Sequence, residues 1–294
     1  NCELEINHKE VPFYTFNEIA KIISDVDGAI VGTDQWTEEV FKIAPKLKCI
    51  AKFGVGVDNI DLIKAREYGI KVINAKGQNS NAVAELVIGL IIDSFRSISV
   101  ADSELKKGNW QRFMGSELAG KTIGLIGFGA IAQMVAYKLN GFDVRITAYD
   151  LMPNKKNADA LQVELMSLDN VLSQSDVVSI HIPSNKETYH FMDKLAFSKM
   201  KKGAFFINSA RGLLVDTDAL VDAVESGHLA GAALDVFEEE PLPKDARILQ
   251  NPSIITIPHL GAETVSVYRN IGISTANGMM DVLNGREPEN WLNQ

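Results

Sequence analysis

Short hydrophobic runs alternate with longer amphipathic stretches along most of the chain, in two successive blocks. The short runs are rich in Val and Ile and do not alternate cleanly between apolar and polar positions, which is typical of strands that are buried on both faces of a parallel sheet. Such strands, alternating with amphipathic helices, predict an α/β fold of two doubly wound parallel sheets with helical crossovers.

The first block contains four predicted strands and three predicted helices. The strands are Leu4–Asn7, Ala29–Gly32, Cys49–Phe53 and Lys71–Asn74. The helices are Phe16–Ser24, Glu38–Ala44 and Leu62–Tyr68. Because the first predicted strand begins almost at residue 1, and residue 1 is not Met, we expect the native protein to carry one more strand upstream.

The second block contains six predicted strands and is flanked by two long predicted helices. The strands are Thr122–Gly127, Arg145–Tyr149, Val177–His181, Ala204–Asn208, Gly231–Asp235 and Ile254–Ile257. One long helix runs from Ala82 to about Val100, with Asn79 or Ser80 placed to cap it, and the other runs from Val265 to Leu283.

Length and charge narrow the class of protein. A chain of 294 residues predicts about two domains. Its 29 basic and 38 acidic residues give a net charge of 29 − 38 = −9, which repels nucleic acid and anionic membrane surfaces. The longest apolar stretch, Leu86–Ile92, is far shorter than the ~20 residues of a membrane span. We therefore expect neither a nucleic-acid partner nor a membrane segment.

Cys2 and Cys49 are the two cysteines of the chain. Two cysteines this far apart form neither a disulfide framework nor a Cys-x-x-Cys metal knuckle, so no metal site is predicted. Their scarcity fits a reducing, cytoplasmic compartment.

A glycine-rich turn follows the strand Thr122–Gly127 and leads into a helix that ends near Leu139. In this G-x-G-x-x-A pattern, Gly127 permits the tight turn, Gly129 lets the backbone approach a pyrophosphate, and Ala132 keeps helix and strand close. Similar turns also occur without a cofactor, so the pattern needs support from its context.

Asp150 supplies that context, because it ends the next predicted strand, 150 − 127 = 23 positions after Gly127. An acidic residue about 20 positions on binds the ribose hydroxyls of NAD, and its charge disfavours the 2′-phosphate of NADP. The alternative is that Asp150 is only a turn residue before Pro153. We predict NAD as the cofactor.

Transfer of a hydride from an alcohol needs a base near neutral pH, and His is the natural candidate. His259 follows the last predicted strand, at the carboxyl edge where parallel sheets bind ligands. His181 also ends a strand, and it either lines the cofactor or is structural. His8 and His190 are interpreted as surface residues, and His228 as a cap at a helix C-terminus.

Arg211 follows the strand Ala204–Asn208, and its planar guanidinium suits a bidentate grip on a substrate carboxylate. A helix-capping ion pair is the alternative role for this residue. A catalytic His also needs a carboxylate partner to orient its ring. From position alone, this carboxylate could be Glu238, Glu239 or Glu240.

Five motifs stand in one order along the chain. They are Gly54–Asp61, Val83–Glu85, the Gly127 turn, Asn208–Gly212, and Asp235–Phe237 through Glu240–Pro241 to Pro258–Gly261. With this ordered set the chain resembles the D-isomer-specific 2-hydroxyacid dehydrogenases along essentially its whole length. The segment 113–122 makes it most similar to the phosphoglycerate dehydrogenase branch.

The resemblance implies an NAD-dependent oxidoreductase that interconverts a D-2-hydroxy acid and its 2-oxo acid. It implies Glu240 as the carboxylate partner, and so a catalytic set of Arg211, Glu240 and His259. In oxidation, neutral His259 would take the hydroxyl proton as hydride leaves C2 for the nicotinamide. The implied substrate-binding residues are Lys52, Val55, Gly56 and Arg211. The implied cofactor-binding residues are Gly127, Gly129, Ala130, Ile131, Asp150, Ile182, Pro183, Ser209, Ala210, Asp235, Gly261 and Ala262.

The same resemblance implies a domain organisation. Residues 1–76 and 263–294 would form a flavodoxin-like substrate domain, and residues 77–262 a Rossmann NAD-binding domain inserted into it. The long helix and the arm after it would build a homodimer with two-fold symmetry.

Some positions depart from the family pattern. Gly32 and Lys52 stand where phosphoglycerate enzymes usually have Arg, and Ala130 where many members have Arg. Because Lys lacks the guanidinium fork that grips phosphate, we predict activity on several small 2-oxo acids. Phosphohydroxypyruvate, the 2-oxo acid of 3-phosphoglycerate, would then be accepted without a large preference.

Two other functions compete with this prediction. Proteins of this fold also act as NAD-sensing, corepressor-like proteins and can retain the catalytic residues; turnover of 2-oxo acids with NADH separates the two. A formate dehydrogenase is disfavoured, because a Glu rather than a Gln is placed to pair with His259.

Overall fold

The computed structural model describes residues 2–6 and 14–294 of the chain. The chain divides into two compact units, one formed by Asn1–Asn79 and Thr264–Gln294 and the other by Ser80–Glu263. Each unit is an α/β structure whose named strands are all paired in parallel, which confirms the predicted fold class.

The first unit contains a three-stranded sheet in the order β1-β2-β3. The strands are β1 (Gly28–Val31), β2 (Cys49–Lys52) and β3 (Lys71–Ile73). The helices are α1 (Phe16–Ile22), α2 (Glu38–Lys42), α3 (Leu62–Glu67) and the C-terminal α11 (Val265–Leu283). Every residue of the central strand β2 is buried, which explains its run of apolar side chains.

The predicted strand Leu4–Asn7 is wrong for the residues that the structure describes. Residues 2–6 form no regular structure, and Asn7 and His8 lie outside the described residues. Leu4 and Ile6 are exposed by 79% and 61%. Their alternation with polar residues is the pattern of a half-buried strand, but such a strand forms only where a neighbouring strand completes its hydrogen bonds.

The second unit contains a seven-stranded sheet in the order β10-β9-β8-β7-β4-β5-β6. Its strands are β4 (Thr122–Ile126), β5 (Arg145–Tyr149), β6 (Glu164–Leu165), β7 (Val177–Ile180), β8 (Phe205–Asn208), β9 (Gly231–Leu234) and β10 (Ile254–Thr256). The chain starts in β4, extends the sheet to one side through β6, and returns to the other side at β7. The strand order therefore reverses between β4 and β7, where doubly wound sheets bind ligands.

Helices cover both faces of this sheet. They are α4 (Ser80–Arg96), α5 (Ile98–Lys106), α6 (Ala130–Leu139), α7 (Lys155–Ala160), α8 (Leu168–Gln174), α9 (Lys194–Lys199) and α10 (Thr217–Glu225). One apolar core joins α4 and α6 to the sheet, and a second core joins α8, α9 and α10 to it. In the part of the chain that the structure describes, no helix is both long enough and apolar enough to cross a membrane.

The predicted elements of the second block differ from the structure at two places. The two-residue strand β6 was not predicted, because two residues are too few to show a periodic pattern. The single helix predicted from Ala82 to about Val100 is two helices, α4 and α5, which meet at Ser97. Ser97 has a left-handed backbone with φ of 50°, so the helical path breaks there without a Gly or a Pro.

Candidate active site

The carboxyl ends of four strands bring most of the predicted site residues to one edge of the second unit's sheet. Gly127 follows β4, Arg211 follows β8, Asp235 follows β9 and His259 follows β10. Because all four strands are parallel members of one sheet, their ends lie on the same side. The predicted position of the site within this unit follows from the order of the strands.

The glycine-rich turn between β4 and α6 is shaped to admit a ligand. Gly127 has a φ of 86°, and a Cβ there would lie 2.9 Å from the carbonyl oxygen of His181, so the position requires glycine. A Cβ on Gly129 would instead meet nothing within 4 Å. The backbone at Gly129 therefore faces open space at the N-terminus of α6, where helix N–H groups favour an anion.

Asp150 is fixed beside this turn by two backbone hydrogen bonds. Its Oδ2 accepts a hydrogen bond from the Phe128 N–H at 2.7 Å, and its Oδ1 accepts one from the Met152 N–H at 2.8 Å. The carboxylate thus stands next to the glycine turn, as the NAD prediction requires, and each oxygen retains a second lone pair for a ribose hydroxyl.

The remaining predicted cofactor residues follow β4, β7, β8 and β10. Ser209 is 9% exposed, and its hydroxyl is buried with no hydrogen-bond partner among the described residues. A buried hydroxyl without a partner is costly unless a ligand completes it. Of the others, Gly261 is buried, Ala130 and Pro183 are exposed, and the rest are half-buried: Ile131, Ile182, Ala210 and Ala262. The open space at Gly129 and the unpaired Ser209 hydroxyl are both consistent with a bound dinucleotide.

Arg211 is held in a turn that Asn208 shapes from the end of β8. The buried Asn208 side chain donates from Nδ2 to the Arg211 carbonyl oxygen at 2.8 Å and accepts at Oδ1 from the Ala210 N–H at 2.9 Å. The guanidinium Nη1 donates to the Ala210 carbonyl oxygen at 2.7 Å. This role of Asn208 was not predicted, although an Asn directly before a turn is a recognisable signal.

Glu240 and His259 form a hydrogen-bonded pair, with 2.8 Å between Glu240 Oε2 and His259 Nδ1. The other Glu240 oxygen accepts from the Phe237 N–H at 3.0 Å. The hydrogen bond to Glu240 raises the pKa of His259 above its ordinary value, although burial acts against this. Burial acts to raise the pKa of Glu240, but the hydrogen bonds from His259 and Phe237 hold it below its ordinary value.

The turn that carries His259 is held by Asp235. His259 has a left-handed backbone with φ of 54°, an uncommon conformation for a residue other than glycine. Asp235, which is 1% exposed, accepts from the N–H groups of Leu260 at 2.5 Å and Gly261 at 2.9 Å. Burial raises the pKa of Asp235. The structure therefore makes Asp235 a support of the His259 turn; the nicotinamide contact implied by the resemblance stays a prediction.

Arg211 belongs to the same electrostatic neighbourhood as the pair. Its positive charge acts to lower the pKa of both Glu240 and His259. A guanidinium, a carboxylate and an imidazole thus act on one another at the sheet edge. This arrangement can grip an anionic substrate and move a proton at the ring nitrogen that faces away from Glu240, His259 Nε2.

The remaining described histidines have other surroundings. Burial lowers the pKa of His181 to about 4, so its ring is neutral, and its Nε2 lies 3.0 Å from the Ser179 hydroxyl. His228 Nε2 lies 3.1 Å from the Phe197 carbonyl oxygen, near the end of α9. His190, which was interpreted as a surface residue, is partly exposed, and its Nε2 lies 2.9 Å from Glu238 Oε2.

The predicted substrate residues outside this unit lie at the end of β2. The Lys52 ammonium is buried and donates to Asn59 Oδ1 at 3.0 Å and to the Gly32 carbonyl oxygen. The Val55 carbonyl oxygen accepts from Asn74 Nδ2 at 2.7 Å, and Val55 and Gly56 are partly exposed. Lys52 therefore links the loops after β1 and β2. This role could not be predicted from the sequence, because it depends on hydrogen bonds between separate loops.

Metal-binding clusters are absent from residues 2–6 and 14–294. Within these ranges, no group of three or more His, Cys, Asp or Glu side chains could hold a metal ion.

Residues 88–261 match the model of the NAD-binding domain of the D-isomer-specific 2-hydroxyacid dehydrogenases. The chain belongs to the D-isomer-specific 2-hydroxyacid dehydrogenase family. The family model identifies the cofactor of the second unit as NAD(H), which confirms that prediction.

Named relatives of the dehydrogenase carry three different substrate names. A glyoxylate reductase of Thermofilum pendens is 39% identical over 285 residues, covering 94% of this chain and 84% of that one. A hydroxypyruvate reductase of Thermotoga maritima is 41% identical over 262 residues, covering 87% and 85%. A D-3-phosphoglycerate dehydrogenase of Archaeoglobus fulgidus is 40% identical over 257 residues, covering 87% of this chain but 49% of its own length.

The fold has close counterparts among solved structures. The TT0316 protein of Thermus thermophilus superposes with a TM-score of 0.88 at 35% identity, covering 94% of this chain and 89% of that one. The identities to differently named relatives are nearly equal, so they do not single out the phosphoglycerate branch that the sequence analysis favoured. These relatives bear the names of enzymes, which lends no support to the corepressor alternative.

Proposed function

We propose that this protein is an NAD-dependent D-2-hydroxyacid dehydrogenase that interconverts small 2-oxo acids without a phosphate group, such as glyoxylate and hydroxypyruvate, with their 2-hydroxy acids. The observation that carries the proposal is the 2.8 Å contact between Glu240 and His259, at the sheet edge where Arg211 also lies. In this proposal the second unit binds NAD and carries the His259–Glu240 pair.

The chain's own groups divide the work of the reaction. Arg211 grips the substrate carboxylate and the carbonyl oxygen through its guanidinium fork. His259 gives the proton at Nε2 to that oxygen in reduction and takes the hydroxyl proton there in oxidation. Glu240 holds Nδ1, so it fixes the orientation of the ring and stabilises the imidazolium. NAD, when bound, supplies the hydride donor or acceptor.

The choice of substrate class rests on Lys52 and its partners. A dianionic phosphate is best gripped by guanidinium forks, but the two expected arginines are Gly32 and Lys52 here. The Lys52 ammonium already bonds to Asn59 and Gly32 and is buried. Two relatives that match this chain over most of their length are named as reductases of glyoxylate and hydroxypyruvate, neither of which carries phosphate.

Steady-state rates with NADH and four 2-oxo acids test this proposal. We expect turnover of glyoxylate and hydroxypyruvate, with a kcat/KM for phosphohydroxypyruvate that exceeds theirs by no more than about tenfold, a difference of ~1.4 kcal/mol. His259→Ala should lose roughly 10²–10⁴ in turnover while NADH binding survives. A larger preference for phosphohydroxypyruvate contradicts the substrate class, and an active His259→Ala enzyme contradicts the mechanism. Pyruvate, the fourth substrate, tests tolerance of an unsubstituted side chain.

Asp150 should make the cofactor choice specific. Because a carboxylate repels a 2′-phosphate, we expect NADH to bind at least tenfold more tightly than NADPH, about 1.4 kcal/mol. Fluorescence titration with both cofactors measures this ratio, and equal affinities would remove the role given to Asp150.

A further inference from the structure

A second His–Glu pair includes Glu238, which lies on the same loop as Glu240. Glu238, two residues before Glu240, places its Oε2 at 2.9 Å from His190 Nε2. The two side chains are 26% and 32% exposed, so both are more shielded than typical surface charges. The mechanism proposed above uses neither residue.

Glu238 also binds the start of α10. Its Oε1 accepts from the Thr217 N–H at 3.0 Å, so one carboxylate bridges His190 and the first turn of a helix. Burial acts to raise the pKa of Glu238, but hydrogen bonds from Thr217 and His190 hold it below its ordinary value. Glu238 is therefore ionised at neutral pH and engaged at both oxygens.

The segment that carries His190 is paired with the chain that follows Arg211. The His190 N–H donates to the Leu213 carbonyl oxygen at 2.9 Å, and the Met192 N–H donates to the Leu214 carbonyl oxygen at 2.9 Å. His190 has a left-handed backbone, and its ring stacks on Tyr189 with 3.9 Å between ring centroids. The backbone hydrogen bonds and the stacking on Tyr189 thus hold the His190 ring in contact with Glu238.

The Arg211 turn and the Glu240 loop are in direct backbone contact. A Cβ on Gly212 would lie 1.9 Å from the Phe237 carbonyl carbon and 2.5 Å from the Glu238 nitrogen. Phe237 is also the residue whose N–H fixes Glu240 Oε1. A displacement of residues 237–238 therefore moves both Glu240 and the surface on which the Arg211 turn rests.

We propose that His190 and Glu238 are positioning residues, which lock the loop 237–240 against the Arg211 turn and so set the contact between Glu240 and His259. The pair acts through hydrogen bonds to Thr217 and to the His190 segment, and it touches no reacting atom. The inference rests on the proposed catalytic roles of Glu240 and His259. The groups that act directly on the His259 ring are Glu240, Asp235 and Arg211.

The test is a pH titration of the His259 ring by NMR in the protein without substrate, with the His259 signal assigned from a His259→Gln variant. Glu240→Gln should lower the pKa of His259, and Glu238→Ala and His190→Ala should each lower it too. Glu238→Gln keeps an acceptor for Thr217 and a polar contact for His190, so it should restore the wild-type titration. In the Glu240→Gln background, Glu238→Ala should produce no further change.

His228→Gln is the control, because it removes a histidine hydrogen bond from the same unit away from this loop. It should leave the His259 titration unchanged, whatever it does to thermal stability. In activity assays Glu238→Ala should lower kcat by about tenfold with the KM for NADH unchanged, since small misplacements of catalytic groups are costly.

Three results would overturn the inference. A wild-type His259 titration in both Glu238→Ala and His190→Ala shows that the pair has only a structural role. Equal effects of Glu238→Gln and Glu238→Ala show that the charge acts on His259 directly. A further fall of the pKa in the Glu240→Gln background shows that Glu238 does not act through Glu240. The titration needs no turnover. If the wild-type protein were inactive, the proposed function would be contradicted, but the effect of the variants on the pKa of His259 could still be measured.

Discussion

The chemistry of the candidate site depends on which proton His259 holds at a given pH. Its hydrogen bond to Glu240 raises its pKa, so the imidazolium persists to higher pH than in an isolated histidine. Reduction of a 2-oxo acid needs this charged form, and oxidation needs the neutral form. We therefore expect kcat/KM for reduction to fall, and that for oxidation to rise, as the pH increases through the pKa of His259.

Glu240→Gln should move both limbs of these profiles to lower pH. The substitution removes the negative charge that stabilises the imidazolium, so the folded-state pKa of His259 falls towards its ordinary value. Glu239→Gln is the matched control, since it removes the same charge one position away. The pH dependence of kcat/KM in each direction measures the shift. Identical profiles in wild type and Glu240→Gln would show that Glu240 does not determine the pKa of His259.

At this scale the position of His259 could be predicted from its strand, whereas its partner Glu240 was implied only by the family resemblance. His259 follows a strand in a parallel sheet, and the position of such ends is general to the fold. Glu238, Glu239 and Glu240 are consecutive, so their positions do not distinguish them, but their contacts do: Glu240 meets His259 and Glu238 meets His190. His190 and Glu238 are 48 positions apart, and no local pattern signals that they meet.

At the scale of elements, the turn after β4 is the feature most directly tied to the cofactor. Gly129 has an extended backbone that any residue can adopt, and a Cβ there would meet nothing within 4 Å. Gly129→Ala should therefore leave the free protein's thermal midpoint unchanged. We expect it to weaken NADH binding by about tenfold, ~1.4 kcal/mol, because the methyl group occupies the space that a pyrophosphate needs.

Gly141→Ala is the control for this change, because a Cβ at Gly141 also meets nothing within 4 Å and the residue lies just beyond the other end of α6. NADH titration of both variants separates a local effect at the turn from a general effect on α6. Wild-type affinity in Gly129→Ala would place the pyrophosphate elsewhere.

A substitution at Gly212 should, in contrast, destabilise the free protein. A Cβ at this position would lie 1.9 Å from Phe237 backbone atoms, which are not the end of a flexible side chain, so Gly212→Ala must displace one of two loops. We expect a loss of about 1–3 kcal/mol in the free energy of unfolding, together with reduced turnover. Gly89→Ala, in the interior of α4 with open space around it, should instead be neutral or slightly stabilising. Denaturant unfolding compares the two, and an unchanged Gly212→Ala protein would mean that the loops repack freely.

The elements that the sequence predicted well are those with a strong local signal. The Val- and Ile-rich runs of the second block became strands within one residue of their predicted ends, and α11 has its predicted bounds. The failures lack such a signal: β6 has two residues, and Ser97 breaks a helix by its conformation alone. Residues 4–6 show the reverse case, in which a strand pattern is not enough without a partner strand.

At the scale of the whole molecule, the segment after α4 exposes large apolar side chains that a solitary chain would leave in water. Ile98 and Leu105 are 55% and 54% exposed, and Trp110 and Met114 are 86% and 100% exposed. We predict that this segment, residues 98–114, packs against its copy in a homodimer, because exposed aromatic and Met side chains are characteristic of interfaces.

Light scattering after size exclusion should then give twice the 32.2 kDa of one chain. Trp110→Glu combined with Met114→Glu places two charges at the two most exposed apolar positions of this segment, and the like charges of two facing copies repel, so the mass should fall to that of one chain. Leu195→Glu is the control: Leu195 is 63% exposed but lies in α9, outside the segment 98–114, and the variant should keep the wild-type mass. If the double variant is still a dimer, the interface does not lie on this segment. If the wild-type protein has a mass of 32.2 kDa, it is a monomer and the predicted homodimer is wrong.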